Sequence, residues 1–392
     1  MVELTYTNIN EIPLTLHSHL FPPPAVSVVD FLAFELPPQD RTPSPSSTRL
    51  APSSFCSSQA PVVVDSSVLS NIRKLSIPAK PTLDAILGYL SNPSTHCPTA
   101  ICYAHLSIQL LLPPLIVAYW VQVSRLCQFI LSPWLQAEHW LSTLPPVLIR
   151  VLDNHTRVQR VRSLLRVIPW TGTTFAFSDW EPTTYFATYL SSNWLSSTHI
   201  HQQLELLERQ LAHQHPSQPI DILSTRSLEK LISTHRLHRN EYCSTFSSTK
   251  HLWAMGEQLA NHTSQALKVA GIVNLKGSHW VAIAIDVQSS TILYGDSLGW
   301  DVDEAVIRAL DWWVERHTQT SFQCASLPIG CQTDTTSCGL FAVNAVHHFF
   351  LPDHPLLLQS GVLLERLQYF SGAATLDSDM VCYSSLFLYV LF

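Results

Sequence analysis

Residues 331–350 read CQTDTTSCGLFAVNAVHHFF, a polar loop that gives way to an apolar stretch at Cys338 and Gly339. The apolar residues predict a helix that is buried on most sides, with Thr336 or Ser337 able to cap its start. A cysteine attacks as its thiolate, and a helix N-terminus or a neighbouring histidine lowers a thiol pKa from its usual value of about 8.5. The stretch therefore predicts a nucleophile at the N-terminus of a buried helix, although a lone cysteine is more often a small core residue.

A histidine and an aspartate earlier in the chain have the positions that such a nucleophile needs. Residues Trp280 to Val287 and Thr291 to Tyr294 predict the two strands of a β-hairpin. His279 stands at the start of the first strand and Asp296 follows the second, so both lie at the same end of the hairpin. Asp296 can then accept a hydrogen bond from one ring nitrogen of His279, while the other nitrogen faces the sulfur.

Gln332 stands six residues before Cys338 and offers a neutral amide as a donor. Together with the backbone N–H of the nucleophile, it could stabilise an oxyanion. Taken singly, these residues have ordinary explanations, because His279 suits a strand end and Asp296 suits a turn. Their order and spacing together favour a thiol hydrolase.

These residues resemble the ubiquitin-like-protein-specific cysteine proteases, which process SUMO and its relatives and are similar to the adenovirus protease. The resemblance covers roughly Leu164 to Phe370. It rests on four motifs, which are W-L-S-S-T-H-I-H-Q-Q-L from Trp194, H-W at His279, D-S-L at Asp296 and Q-T-D-T-T-S-C-G at Gln332. It implies a papain-like α+β fold, in which a central mixed sheet is flanked by helices and the nucleophile begins a buried helix.

The resemblance also implies an activity, namely hydrolysis after the C-terminal Gly-Gly of a ubiquitin-like protein, at a precursor peptide bond or a lysine isopeptide bond. Cys338 would attack, His279 would transfer the proton, Asp296 would orient His279, and Gln332 would stabilise the oxyanion. Trp194 and Trp280 would form a narrow tunnel that admits only glycines. The family requires no metal and no organic cofactor.

The chain departs from the family pattern at two positions. Ser196 and Ser197 stand where the family often has Asn-Asp, whose acidic residue grips a basic residue of the partner, so the identity of the ubiquitin-like partner stays open. Ser337 stands where Asp commonly precedes the nucleophile. Two alternatives therefore remain, a catalytically silent module that binds ubiquitin-like proteins, and a membrane-tethered or mobile-element-encoded protease with another substrate.

Composition narrows the remaining classes of protein. The net charge of -7 argues against a strongly basic nucleic-acid binder, so no nucleic-acid partner is predicted. Nine scattered cysteines without a C-x-x-C pair predict reduced thiols in an intracellular compartment and no cysteine zinc site. The family resemblance implies a nuclear location, so the nucleus or cytoplasm is expected. The apolar stretch 101–123 is long enough to span a membrane, but Pro113-Pro114 at its centre favours a buried or poorly ordered segment over a membrane anchor.

The chain divides by composition into three predicted regions. Residues 1–80 are of low complexity, with a Ser- and Pro-rich run from Arg41, and are expected to be disordered. Residues 81–149 are apolar, interrupted by proline and without a predicted fold, and residues 150–392 form the predicted protease domain. Further elements are expected in that domain, namely helices from Val147, over Tyr185–Leu190, after Ser196 or Ser197 and over Val302–Glu315, and a strand over Phe322–Leu327.

Overall fold

A mixed five-stranded sheet carries the predicted hairpin in the computed structural model of the protein, which describes residues 12–39, 55–62, 71–91, 98–103, 110–216, 220–245, 249–261 and 267–390. The strands lie side by side in chain order, and only the first and last pairs are parallel. They are β1 (Ile220–Leu223), β2 (Lys268–Leu275), β3 (His279–Asp286), β4 (Thr291–Gly295) and β5 (Gln323–Ser326). The sheet and its helices confirm the predicted α+β class.

The register of the hairpin brings the two predicted polar residues to one end of the sheet. In the antiparallel pair of β3 and β4, Ala282 lies opposite Gly295 and Asp286 lies opposite Thr291. His279 therefore begins β3 at the same end at which β4 leads into Asp296, as the sequence predicts. The β2 strand, which pairs with β3 along its whole length, has no counterpart in the sequence prediction.

The described residues between 197 and 390 form six α-helices around the strands of the sheet. They are α1 (Ser197–Gln214), α2 (Thr225–Leu237), α3 (Lys250–Asn261), α4 (Glu304–Thr318), α5 (Cys338–Phe350) and α6 (Val362–Val390). Val281, Ile283 and Ile285 of β3 pack in one apolar core with residues of α2, α3 and α4. Because side chains alternate along a strand, Trp280 points to the other face, where α5 packs against β2 and β3.

Most of the predicted helices are present with shifted ends. Ser196 caps α1, and His199 completes the capping box in the place where Glu or Gln is usual. A short helix spans Phe186–Tyr189, and α4 begins two residues later than predicted because Asp303 caps it through the backbone N–H groups of Ala305 and Val306. The helix predicted from Val147 is divided into Pro146–Ile149 and Leu152–Leu165.

The contacts within the chain group its residues into two units, 1–135 with 165–172 and 136–164 with 173–392. The predicted boundaries at residues 80 and 149 stay predictions. Within the region predicted to be disordered, the structure contains the helices Leu14–Leu20 and Val28–Leu32. The whole Ser- and Pro-rich run, residues 41–54, lies outside the described residues.

The first unit contains the stretch that was considered as a membrane span. Residues 101–123 do not form one helix, because the strands Ala100–Tyr103 and Leu110–Leu112 pair antiparallel and a helix begins only at Leu115, after Pro113-Pro114. Among the described residues, one helix, Leu115–Ser142, is long and apolar enough to cross a membrane. Core helices of water-soluble proteins can have the same length and composition, and 44% of the apolar 18-residue segment of this helix is buried.

Candidate active site

Cys338 is the first residue of α5, and its side chain is buried at the end of that helix. As a first-turn residue, it has a backbone N–H without an acceptor inside the helix. The next residue, Gly339, packs closely against its neighbours. A Cβ at this position would lie 2.9 Å from Ile200 Cδ1 and 3.2 Å from Trp280 Cδ1, so glycine suits it. The sulfur is therefore held at a helix N-terminus against tightly packed neighbours.

His279 links Asp296 to Cys338. Its Nε2 lies 2.9 Å from Asp296 Oδ1, and this oxygen also accepts a 2.8 Å hydrogen bond from the Leu298 backbone N–H. The imidazole is hydrogen-bonded to Cys338 as well, and Nδ1 is the ring nitrogen left for that contact. Burial alone would lower the pKa of His279, but the hydrogen bonds to Asp296 and Cys338 and the charges of both groups raise it to about 9.

Gln332 is buried, and Ser297, which follows Asp296 in the chain, fixes its orientation. The Ser297 carbonyl accepts a 2.8 Å hydrogen bond from the Gln332 backbone N–H, and the Ser297 hydroxyl donates to Gln332 Oε1 at 2.8 Å. Gln332 Nε2 donates to the Asp334 backbone carbonyl at 2.7 Å and to Asp334 Oδ1 at 3.1 Å. Since a primary amide has two N–H groups, both already have acceptors, and an oxyanion would have to displace one of them.

The Asp334 carboxylate holds together the loop that leads into α5. It accepts hydrogen bonds from the backbone N–H groups of Thr336 and Ser337, from the Ser337 hydroxyl and from Gln359 Nε2. Burial would raise the pKa of Asp334, but these hydrogen bonds lower it below its usual value. The negative charge therefore stays close to the helix N-terminus, where backbone N–H groups favour it.

The two tryptophans predicted to form a tunnel lie directly against each other. The rings of Trp194 and Trp280 are stacked with centroids 5.1 Å apart and planes 14° apart. A peptide between two rings needs about 7–8 Å, twice a van der Waals contact, so none fits between them in this arrangement. Trp194 Nε1 donates to Cys338 Sγ at 3.1 Å, and Trp280 Nε1 donates to the Leu195 carbonyl at 2.8 Å.

The structure thus brings all six predicted site residues together, while their catalytic and binding roles stay predictions. Sequence reasoning gave no role to Ser297, Asp334 or Gln359, which orient Gln332 and the loop before α5. Ser297 lies inside the D-S-L motif, which was the sequence signal that could have identified it. Gln359 lies far along the chain in a segment without a motif, so no comparable signal exists for it. In the described part of the chain, no three His, Cys, Asp or Glu side chains are close enough to hold a metal ion.

The site residues fall inside a region that matches a known family. Residues 193–356 match the model of the C-terminal catalytic domain of the Ulp1 protease family. The comparison with curated proteins gives no match.

Several solved structures are similar to this chain at low identity. One is the C-terminal Ulp1 protease domain in complex with Smt3, the yeast ortholog of SUMO, with 18% identity, a TM-score of 0.43, and coverage of 57% of this chain and 95% of that chain. A second is the Chaetomium thermophilum Ulp1-like SUMO protease catalytic domain, with 13% identity, a TM-score of 0.39, and coverage of 62% and 88%. A third is the Xanthomonas campestris effector XopD bound to ubiquitin, with 16% identity, a TM-score of 0.32, and coverage of 45% and 90%.

Proposed function

We propose that this protein is a cysteine peptidase that cleaves after the C-terminal Gly-Gly of a ubiquitin-like protein, since residues 193–356 match the model of the Ulp1 protease family's catalytic domain. The observation that carries the proposal is the chain of contacts from Asp296 through His279 to Cys338, at the N-terminus of a buried helix. An intracellular location, in the nucleus or cytoplasm, is part of the same proposal.

In the proposed reaction, His279 and Cys338 act as an imidazolium and a thiolate. The raised pKa of His279 supports this pairing, because an imidazole with a pKa of about 9 keeps its proton at neutral pH. The sulfur attacks the glycine carbonyl carbon, and His279 gives its proton to the leaving nitrogen as the C–N bond breaks. Water then attacks the thioester, with His279 accepting a proton from the water, and the thiolate leaves as the imidazolium is restored.

Two groups are proposed to stabilise the oxyanion. One is the backbone N–H of Cys338, which faces no acceptor within its own helix. The other is Gln332 Nε2, which would exchange one of its two contacts with Asp334 for the oxyanion when substrate binds. Catalytic hydrogen bonds often form only in the substrate complex, and Ser297 already holds the amide in place.

The Gly-Gly preference is proposed to depend on Trp194. Trp280 is buried and held by the Leu195 carbonyl, so it forms a fixed floor, whereas Trp194 is only partly buried. Substrate binding would lift Trp194 off both Trp280 and the sulfur and leave a flat gap between the rings. A gap bounded by two aromatic planes accepts glycine and excludes residues with side chains.

Covalent labelling tests the proposed function. Ubiquitin-like proteins that carry an electrophile in place of the scissile bond are incubated with the full chain, and the modified residue is identified by mass spectrometry. Labelling is expected at Cys338, to be absent in Cys338→Ala, and to persist in Cys331→Ala, the matched control in the same loop. Tight binding of the same proteins without labelling would instead identify a silent binding module, and cleavage that survives Cys338→Ala would exclude Cys338 as the nucleophile.

A further inference from the structure

An exposed tryptophan lies against the proposed general acid. The Trp300 ring centroid is 4.7 Å from that of His279, with 49° between the planes. Trp300 is 59% exposed, whereas His279 is 3% and Cys338 is 1% exposed. A large aromatic side chain that leaves most of its surface in water while it touches a buried polar residue contributes little to a core. Such an exposed aromatic is a candidate for binding.

The backbone on both sides of Trp300 is fixed, so the position of the ring is defined. Asp296 closes the preceding turn, because its carboxylate accepts the Leu298 N–H and its carbonyl accepts the Gly299 N–H at 3.1 Å. Gly299 has a φ of +69°, a conformation that favours glycine, and it redirects the chain just before Trp300. Asp303 then caps α4. The same aspartate that orients His279 thus also anchors the turn that presents Trp300.

Trp194 and Trp300 contact different members of the Cys338–His279 pair. Trp194 contacts the sulfur, which becomes bonded to the acyl half of the substrate. Trp300 contacts the imidazole, which must deliver its proton to the leaving nitrogen over a distance of about 3 Å. The chain attached to that nitrogen therefore has to pass beside His279, where the exposed face of Trp300 lies.

We propose that Trp300 binds the leaving group of the substrate, which is an inference that rests on the proposed function. The chemistry that suits an indole face is an aliphatic chain directly after the scissile nitrogen. Two sources supply it, the methylene stem of a lysine in an isopeptide bond and the first side chain of a precursor extension. Trp300 is thereby a specificity-determining residue for the leaving half, separate from the tryptophan pair proposed for Gly-Gly.

The test compares substrates that share one ubiquitin-like acyl half and differ only after the scissile bond. One is an electrophilic probe without a leaving chain, one is an isopeptide-linked lysine peptide, and one is a linear precursor. In Trp300→Ala, kcat/KM on the two cleavable substrates is expected to fall about fivefold, as for the loss of an aromatic contact, while the labelling rate of the probe changes less than twofold. Trp300→Phe should restore most of the loss. Leu237→Ala, which removes an exposed apolar side chain at the end of α2, should match the wild type.

Each outcome separates the inference from its alternatives. A loss confined to the isopeptide or to the linear substrate supports the inference and identifies the source of the aliphatic chain. An equal loss with the probe, or a displaced pH profile, would mean that Trp300 acts through His279 and would overturn it. Unchanged kcat/KM on both cleavable substrates would overturn it while the proposed function stands. A wild-type protein that neither labels nor cleaves would overturn both.

Discussion

At the scale of single residues, the site depends on how one histidine is surrounded. His279 is buried, and burial by itself favours a neutral imidazole. The Asp296 carboxylate at 2.9 Å and the sulfur of Cys338 reverse that preference and raise its pKa to about 9. The hydrogen bond from the Leu298 N–H holds the carboxylate in place for this task. The proton needed by a leaving group is therefore present throughout the neutral pH range.

This protonation state predicts the alkaline limb of the activity profile. As the pH rises through about 9, His279 loses its proton, so kcat/KM is expected to fall there. Asp296→Asn removes a charge that raises the pKa of His279, so the limb should move to lower pH and kcat/KM at pH 7.5 should fall about a hundredfold or more. The measurement is kcat/KM from pH 6 to 10.5. Asp301→Asn, an exposed acid in the same loop, should keep the wild-type profile. A limb that stays in place in Asp296→Asn would contradict the role of Asp296.

At the scale of elements, local sequence patterns predicted the parts that position the proposed catalytic groups. The β-rich run of β3, the turn before β4 and the apolar run of α5 are local signals. They placed His279 at the start of β3, Asp296 after β4 and Cys338 at the start of α5. The β2 strand was missed because Lys268–Leu275 contains Gly271 and Asn274, residue types that are rare in strands, so the segment lacks a clear strand signal. The stacking of Trp194 on Trp280 was also missed, because it depends on where α1 meets β3 and no local pattern encodes that.

A buried arginine of α6 illustrates another contribution that sequence patterns do not reveal. Arg366 is 1% exposed, and it donates to the Asn193 carbonyl at 2.7 Å and to the Thr188 carbonyl at 3.3 Å. Burial lowers its pKa to about 10, opposed by the charge of Asp334, so it remains charged at neutral pH. Arg366 thus holds the residue just before Trp194, while Trp280 holds the residue just after it.

Replacement of Arg366 should therefore displace Trp194. In Arg366→Met, the two carbonyls lose a charged donor, so the free energy of unfolding should fall by about 1–3 kcal/mol. The rate at which a Gly-Gly probe labels Cys338 should fall about tenfold, because Trp194 is no longer held above the sulfur. Arg160→Met, which removes an exposed arginine, should change the free energy of unfolding by less than about 0.5 kcal/mol. Wild-type labelling by a destabilised Arg366→Met would show that Arg366 supports the fold without positioning Trp194.

At the scale of the whole molecule, buried histidines connect stability to pH. Burial lowers the pKa of His199 to about 4, and burial together with the charge of His354 lowers that of His347 to about 4. Burial also lowers the pKa of His317, in part against the charge of Glu257. Each of these imidazoles is neutral when folded and gains a proton on unfolding below about pH 6.5. They therefore stabilise the protein above that pH, and their contribution is lost as the pH falls through the folded values.

His279 acts in the opposite direction, because its folded pKa is raised. Its contribution is complete below about pH 6.5 and is lost as the pH rises through about 9. The histidines together predict a maximum of stability near pH 6.5, because the buried neutral histidines lose stability below that pH and His279 loses it progressively as the pH rises from about 6.5 to 9. Glu365 and Asp377, whose pKa values burial raises, make the folded state take up protons in acid and so reduce the acid slope. A single-residue variant is therefore needed to isolate one histidine.

His347→Gln provides that variant, because an amide can keep the contact that His347 Nε2 makes with Gln210 at 3.2 Å, and it does not titrate. Urea unfolding at pH 7.5, 6, 5 and 4.5 measures the free energy of unfolding for both proteins. Between pH 6 and 5, one proton taken up on unfolding corresponds to about 1.4 kcal/mol per pH unit. The variant should lose up to about that much less stability over this interval than the wild type. His213→Gln, which changes an exposed histidine of α1, should keep the wild-type slope. Equal slopes in all three proteins would mean that His347 is not the neutral, buried group that its surroundings imply.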